Sequence, residues 1–124
     1  MIHGIGVDIV SVAHMEGLRN RYNDPFFQKT YTVRERETAL QKKDPIHYFA
    51  GRFASKEAVF KALHISPDAI RLNEIETLND EMGCPYVNLF GQAKEVMEKA
   101  GFTRILISLS GDNGLIIAFA VCEV

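Results

Sequence analysis

The chain is expected to adopt an α+β fold, with an antiparallel sheet packed on one long central helix. Three observations lead there. Residues 49–63, FAGRFASKEAVFKAL, place Ala50, Ala54, Ala58 and Ala62 at every fourth position, the spacing of one ridge along a helix. Residues 2–10, IHGIGVDIV, alternate Ile5, Val7 and Ile9 with smaller or polar residues, the period of a strand. Near the C-terminus, the apolar stretches 104–110 and 115–121 flank Gly111-Asp112-Asn113-Gly114, a turn signal. Strands interleaved with helices and hairpins belong to the α+β class. At 124 residues, one domain spanning 1–124 is the natural count.

In the first strand, Gly4, Gly6 and Asp8 share the face opposite Ile5, Val7 and Ile9. The glycines leave room for something to approach a lone carboxylate. That carboxylate is expensive to bury unless it is paired or holds a metal. The simpler alternative is that Asp8 ends the strand and caps the next helix. A helix over 11–21 would then turn Val12, Met15 and Leu18 inward. Asp24-Pro25 restarts the chain, with Pro25 suited to a first helical position, and Phe26, Phe27 and Tyr31 form an aromatic cluster. Thr32-Val33-Arg34-Glu35 is a capping box, followed by a polar helix to about residue 43. Asp44-Pro45 breaks it, and the central helix begins near Ile46.

Along that helix a second ridge, Phe49, Phe53, Glu57 and Lys61, starts aromatic and ends charged. Glu57 and Lys61 fit an ordinary surface ion pair worth about 0.3–0.5 kcal/mol. Spacing alone favours that reading; the alternative, which the glycine-flanked Asp8 strengthens, is a functional pair at the edge of buried ground. Residues 64–68 turn the chain, and 70–78 alternate loosely as a strand with a bulge. A turn over 79–85, centred on Met82-Gly83, leads to a return strand at 86–89. The helix at 91–100 stops at Gly101.

A 47% apolar content supports a modest core. A net charge of −2 gives no support to nucleic-acid or membrane-surface binding. Cys84 and Cys122 lack metal-ligand spacing, as do His3, His14, His47 and His64. With no basic leader and no apolar run of spanning length, a cytoplasmic protein with reduced thiols is expected.

Gly6-Val7-Asp8, followed after a gap by Phe53-Ala54-Ser55-Lys56-Glu57-Ala58 and Lys61, resembles the paired motifs of the holo-acyl-carrier-protein synthases, the short 4′-phosphopantetheinyl transferases. The resemblance implies a single domain of that family. Its members move phosphopantetheine from coenzyme A to a serine of an apo acyl carrier protein, releasing adenosine 3′,5′-bisphosphate, within fatty-acid and related lipid metabolism. It further implies Mg²⁺ held by Asp8 and Glu57, which suits an ion that takes one or two carboxylates plus water and phosphate oxygens. Lys61 would face the pyrophosphate. Arg52 would bind a phosphate or pair with an acid, and Lys56 would contact phosphate or project to solvent. Lys42 and Lys43 are candidates for the coenzyme's remaining phosphate, although cations at a helix C-terminus need no ligand to explain them. A homotrimer with sites between subunits is also implied.

The match departs from the family pattern at three places. His14 stands where relatives often carry an arginine toward the carrier. His64-Ile65-Ser66-Pro67-Asp68 replaces a glycine-rich turn. Gly111 and Leu115 stand where many relatives have histidine and tyrosine. The alternative to an active transferase is therefore a catalytically impaired trimeric relative that binds nucleotide or carrier.

Overall fold

The computed structural model describes residues 1–17, 24–66 and 68–124. Its largest sheet joins the two ends of the chain. Strand β1 (Ile2–Ser11) pairs antiparallel with β5 (Leu115–Glu123), which pairs in turn with β4 (Arg104–Asp112), giving the order β1-β5-β4. The β4–β5 hairpin closes through Asn113 at φ 51° and Gly114 at φ 75°. Both central residues are left-handed, as a two-residue turn that follows strand twist requires.

The two faces of this sheet differ in residue size. The registers Gly4↔Cys122, Gly6↔Ala120 and Asp8↔Ala118 put small side chains on the inner face. Helix α4 (Pro45–Ala62) lies there, and its ridge Ala50, Ala54, Ala58 and Ala62 is wholly buried. A Cβ added at Gly4 would overlap the Ala62 carbonyl oxygen, and one at Gly6 would overlap that of Ala58. The room left by the glycines is thus filled by the central helix rather than by a ligand. Ile5, Val7 and Ile9 occupy the outer face and are 54–58% exposed. The alternation identifies the strand correctly, but its large apolar residues face away from this chain's own core.

On the other flank of α4 sit α2 (Pro25–Thr30) and α3 (Val33–Leu40). Asp24 caps α2 by accepting from Phe26 N at 2.9 Å, with Pro25 at the first helical position. The Thr32–Glu35 capping box of α3 forms as expected. Phe27 and Tyr31 pack on Phe49 with ring centroids 4.9 and 4.7 Å away. The Tyr31 hydroxyl donates to Phe49 O at 2.9 Å. A second, two-stranded sheet of β2 (Ile75–Asn79) and β3 (Pro85–Leu89) covers this end, and α5 (Gly91–Lys99) follows it. Gly101, at φ 78°, lies just beyond α5.

Three expected boundaries move. The first helix, α1 (Val12–Glu16), buries Met15 as expected, while Leu18 and Arg21 lie outside the described residues. Helix α3 ends at Leu40, short of residue 43. The strand expected at 70–78 begins only at Ile75, because Leu72–Glu74 is a 3₁₀ turn. Glu74 explains the difference. Its carboxylate accepts from Arg71 N at 2.7 Å and from Gln92 N at 2.5 Å, so it closes the turn and caps α5 together.

Candidate active site

The close approach of β1 to α4 decides where the charged residues meet. Gly4 and Gly6 let the two backbones touch, and two residues further along the same strand face comes Asp8. Glu57 and Lys61 leave α4 beside the alanine ridge. Lys61 Nζ donates to Asp8 Oδ1 at 3.2 Å and to Val7 O at 3.0 Å. The Asp8 side chain is 18% exposed and that of Lys61 52%, so the pair lies where the sheet–helix seam opens to solvent. Glu57 is half-buried. Its carboxyl is pushed above the usual range, chiefly by burial and then by the charge of Asp8, with Lys61 opposing.

Asp8 thus shares one edge with Glu57 and Lys61, about fifty positions further along the chain, on a strand and a helix held by packed backbone. The surface pair expected between Glu57 and Lys61 is replaced by an Asp8–Lys61 pair across the seam. Chemically this is an acidic pair with a lysine at its rim. Burial and, second to it, the negative charge of Asp8 both disfavour the Glu57 carboxylate, and a cation bound at this edge would relieve the second. Among the described residues, no group of three or more His, Cys, Asp or Glu gathers to form a complete metal cage. A pair of carboxylates with solvent on one side suits Mg²⁺, which keeps waters and takes phosphate oxygens.

The other basic candidates do not join this cluster. Lys56 is fully buried, and its ammonium donates to Glu35 Oε1 at 2.6 Å, to Leu72 O at 3.1 Å and to Ile75 O. Those three acceptors use its three protons, so neither phosphate contact nor solvent projection describes it. Burial pulls its pKa down and the Glu35 charge raises it again. Arg52 is also buried. Its Nη1 donates to Thr77 O at 3.0 Å and to Asn79 Oδ1 at 2.7 Å, and its guanidinium lies 4.5 Å from the Tyr48 ring centroid. It pairs with a carbonyl and an amide rather than with an acid. Burial lowers its pKa too. Lys42 and Lys43 are exposed, with Lys42 Nζ 5.5 Å from the Tyr48 ring centroid. Tyr48 precedes Glu57 by nine residues, roughly 13 Å along a helix, so these lysines stand well away from the carboxylates of their own chain.

His14 is exposed on α1, and His64 holds the turn after α4 at φ 54°. Gly111 faces His47, whose Nε2 would lie 3.9 Å from a Cβ at that position. Sequence reasoning missed Glu35 as more than a cap, and missed Glu76 altogether. Glu76 is 2% exposed and accepts from Thr32 Oγ1 at 2.6 Å and Asn88 Nδ2 at 3.0 Å. The signal for both was the capping box, which places Thr32 and Glu35 together but does not reveal what lies above them.

Comparison with known proteins gives one family. Residues 4–120 match the model of the 4′-phosphopantetheinyl transferase superfamily. The chain is 38% identical over 124 residues to the holo-[acyl-carrier-protein] synthase of Geobacter sp. (strain M21), covering 99% of each. It is 36% identical to that of Natranaerobius thermophilus, covering 98% of this chain and 97% of the relative. The crystal structure of the Neisseria meningitidis synthase superposes with a TM-score of 0.90 at 31% identity, with complete coverage of both chains. The Helicobacter pylori synthase, solved in complex with coenzyme A, gives 0.80 at 30% identity, covering 96% of this chain and 99% of that one.

Proposed function

Because the chain belongs to the 4′-phosphopantetheinyl transferase superfamily, we propose that it moves the phosphopantetheine of coenzyme A onto a serine of an apo acyl carrier protein, and that Asp8, Glu57 and Lys61 carry the step. The observation behind the residue assignment is their meeting at one solvent-facing edge, with Lys61 3.2 Å from Asp8 and the Glu57 carboxyl raised by burial and then by the charge of Asp8. The seryl oxygen forms a bond to the phosphorus that bears pantetheine, and its hydroxyl proton passes to solvent water at this open edge. The bond from that phosphorus to the bridging oxygen breaks, and its electron pair leaves with adenosine 3′,5′-bisphosphate. Catalysis of such a transfer is mostly alignment and charge neutralisation. Lys61, on a rigid helix, supplies a fixed cation to the pyrophosphate. Asp8 and Glu57 are the residues that would hold Mg²⁺, which when bound neutralises further charge on the phosphate oxygens.

The outer face of the sheet supports a homotrimer with sites shared between subunits. Ile5, Val7, Ile9, Ile117 and Phe119 are 43–58% exposed and adjacent in register, Val7 opposite Phe119 and Ile9 opposite Ile117. A contiguous apolar patch of this kind marks a protein interface. Its partner here is a further copy of the chain, consistent with a domain too small to enclose coenzyme A alone.

The deciding experiment incubates the protein with coenzyme A, Mg²⁺ and the host's own apo carrier, then weighs the carrier. A mass gain of one phosphopantetheine is expected. If coenzyme A binds but no carrier gains mass, the chain is a catalytically impaired relative instead.

A further inference from the structure

Lys56 and Glu57 are neighbours on α4, yet they face different surroundings. Successive helical residues point about 100° apart. Glu57 leaves the helix beside Ala58, which meets Gly6 of β1, and one turn before Lys61, which reaches Asp8, whereas Lys56 is buried against α3 and the start of β2. The β1 side of α4 is an alanine ridge against two glycines. Surfaces that smooth come very close, but they have no large side chains to interlock and resist rotation or sliding of the helix.

The opposite side of the helix is built quite differently. The Lys56 ammonium meets Glu35 Oε1, Leu72 O and Ile75 O. Glu35, equally buried, also accepts from Thr32 N at 2.9 Å through Oε1 and from Thr77 N at 2.9 Å through Oε2. One residue earlier on α4, Ser55 Oγ and Thr77 Oγ1 lie 2.5 Å apart. One turn of α4 is therefore tied to α3 and β2 by directional hydrogen bonds among buried side chains. A buried ion pair is not an efficient stabiliser, since apolar residues of similar volume usually serve as well or better. Its particular property is geometric, because buried hydrogen-bond networks tolerate little displacement.

We propose that Glu35 and Lys56 are positioning residues for the transfer reaction, their buried pair fixing the rotation of α4 and so the distance of the Glu57 carboxylate from Asp8. The inference rests on the assignment of Asp8, Glu57 and Lys61 as the reacting site. A displacement near 1 Å at such a site costs on the order of 100-fold in rate.

The test replaces the pair by apolar residues of like volume, Glu35→Met with Lys56→Met. The double variant is expected to melt within a few degrees of the parent or above it. Its kcat should fall by roughly tenfold or more, and its Mg²⁺ requirement should rise. Binding of Mn²⁺ without coenzyme A or carrier, followed by electron paramagnetic resonance, should weaken in parallel. Glu35→Gln, which keeps the side-chain shape, is measured beside it at temperatures where circular dichroism shows it folded. The same changes are expected there. Parent-like kcat and Mn²⁺ affinity in a folded variant would overturn the proposal. So would a loss of kcat that only tracks the unfolded fraction, or a failure of both variants to fold, since either makes the pair purely structural. Asp8→Asn is the control for the underlying assignment. If it transfers normally, that assignment fails whatever Glu35 and Lys56 do.

Discussion

Gly6→Ala should damage both stability and transfer, although it adds only one methyl group. The added Cβ would overlap the Ala58 carbonyl oxygen and lie 2.8 Å from Ala62 N and 2.9 Å from Ala58 C. All three are backbone atoms, so no side chain can swing aside. Relief requires α4 and β1 to part, and overpacking of this type costs about 1–3 kcal/mol. The backbone origin of the clash points to the upper half of that range. About 2–3 kcal/mol corresponds to roughly 6–15 °C in Tm for a domain of this size. The same parting separates Asp8 from Glu57, because Asp8 lies two residues from the clash on the same strand face. Transfer per folded molecule should then fall on the order of 100-fold. Gly51→Ala is the matched control. It lies on the same helix, a Cβ there meets nothing within 4 Å, and replacing a helical glycine with alanine should stabilise by about 0.5–1 kcal/mol. Thermal melts and single-turnover transfer at a temperature where both variants are folded make the comparison. A Gly6→Ala protein that melts and reacts like the parent would show that the close approach does not set the site.

Asp8→Asn should remove most transfer, and adding Glu57→Gln should deepen the loss little, because ligands of one ion act as a unit; near-normal transfer by Asp8→Asn at unchanged Mg²⁺ demand would refute the pairing. In metal-free protein, Glu57's raised pKa gives a definite sign. The folded state binds the proton more tightly than the unfolded state, so stability falls as pH rises from the ordinary carboxylate range, about 4.3, through the raised value. Glu57→Gln should therefore melt higher than the parent at pH 7, with the gap closing near pH 4 and shrinking when Mg²⁺ and coenzyme A are added; no pH dependence of the gap would contradict the perturbation. Val7→Lys on the outer sheet face should convert a trimer into smaller species by light scattering and reduce transfer with it, whereas unchanged mass would leave that face without a role in assembly.

The residues proposed to carry the transfer could be singled out in the sequence because each showed a local oddity. Asp8 is a carboxylate on a face otherwise built of glycine, and Glu57 and Lys61 end a ridge that begins aromatic. Lys56 carried none. Its burial depends on Glu35, twenty-one positions earlier, and on two carbonyls at the start of β2. Glu35 is itself fully explained at the sequence level as a helix cap, so nothing local asks for a second partner. Arg52 is hidden in the same way, since its acceptors are a backbone carbonyl and the Asn79 amide beyond the helix. Residues 70–74 misled for a different reason. Their apolar alternation is real, with Ile70 and Ile75 both buried, but the Glu74 carboxylate closes a 3₁₀ turn between them.

The first strand shows where the periodicity argument stops. Alternation says that one face is covered, and the larger apolar residues identify which face gains most from cover. It does not say what the cover is. In β1 a helix of the same chain takes the face of Gly4, Gly6 and Asp8, since a helix carrying alanines can reach a glycine backbone. Ile5, Val7 and Ile9 remain more than half exposed in the single chain. The same strand therefore has two obligations. Its small-residue face sets Asp8 against α4, and its large-residue face offers apolar surface that the proposed assembly would cover. An assembly that covers the second face cannot shift β1 without moving Asp8, because adjacent residues on one strand share one backbone. Oligomer formation and site geometry should accordingly be coupled: outer-face substitutions that weaken assembly should also raise the Mg²⁺ requirement of whatever transfer remains.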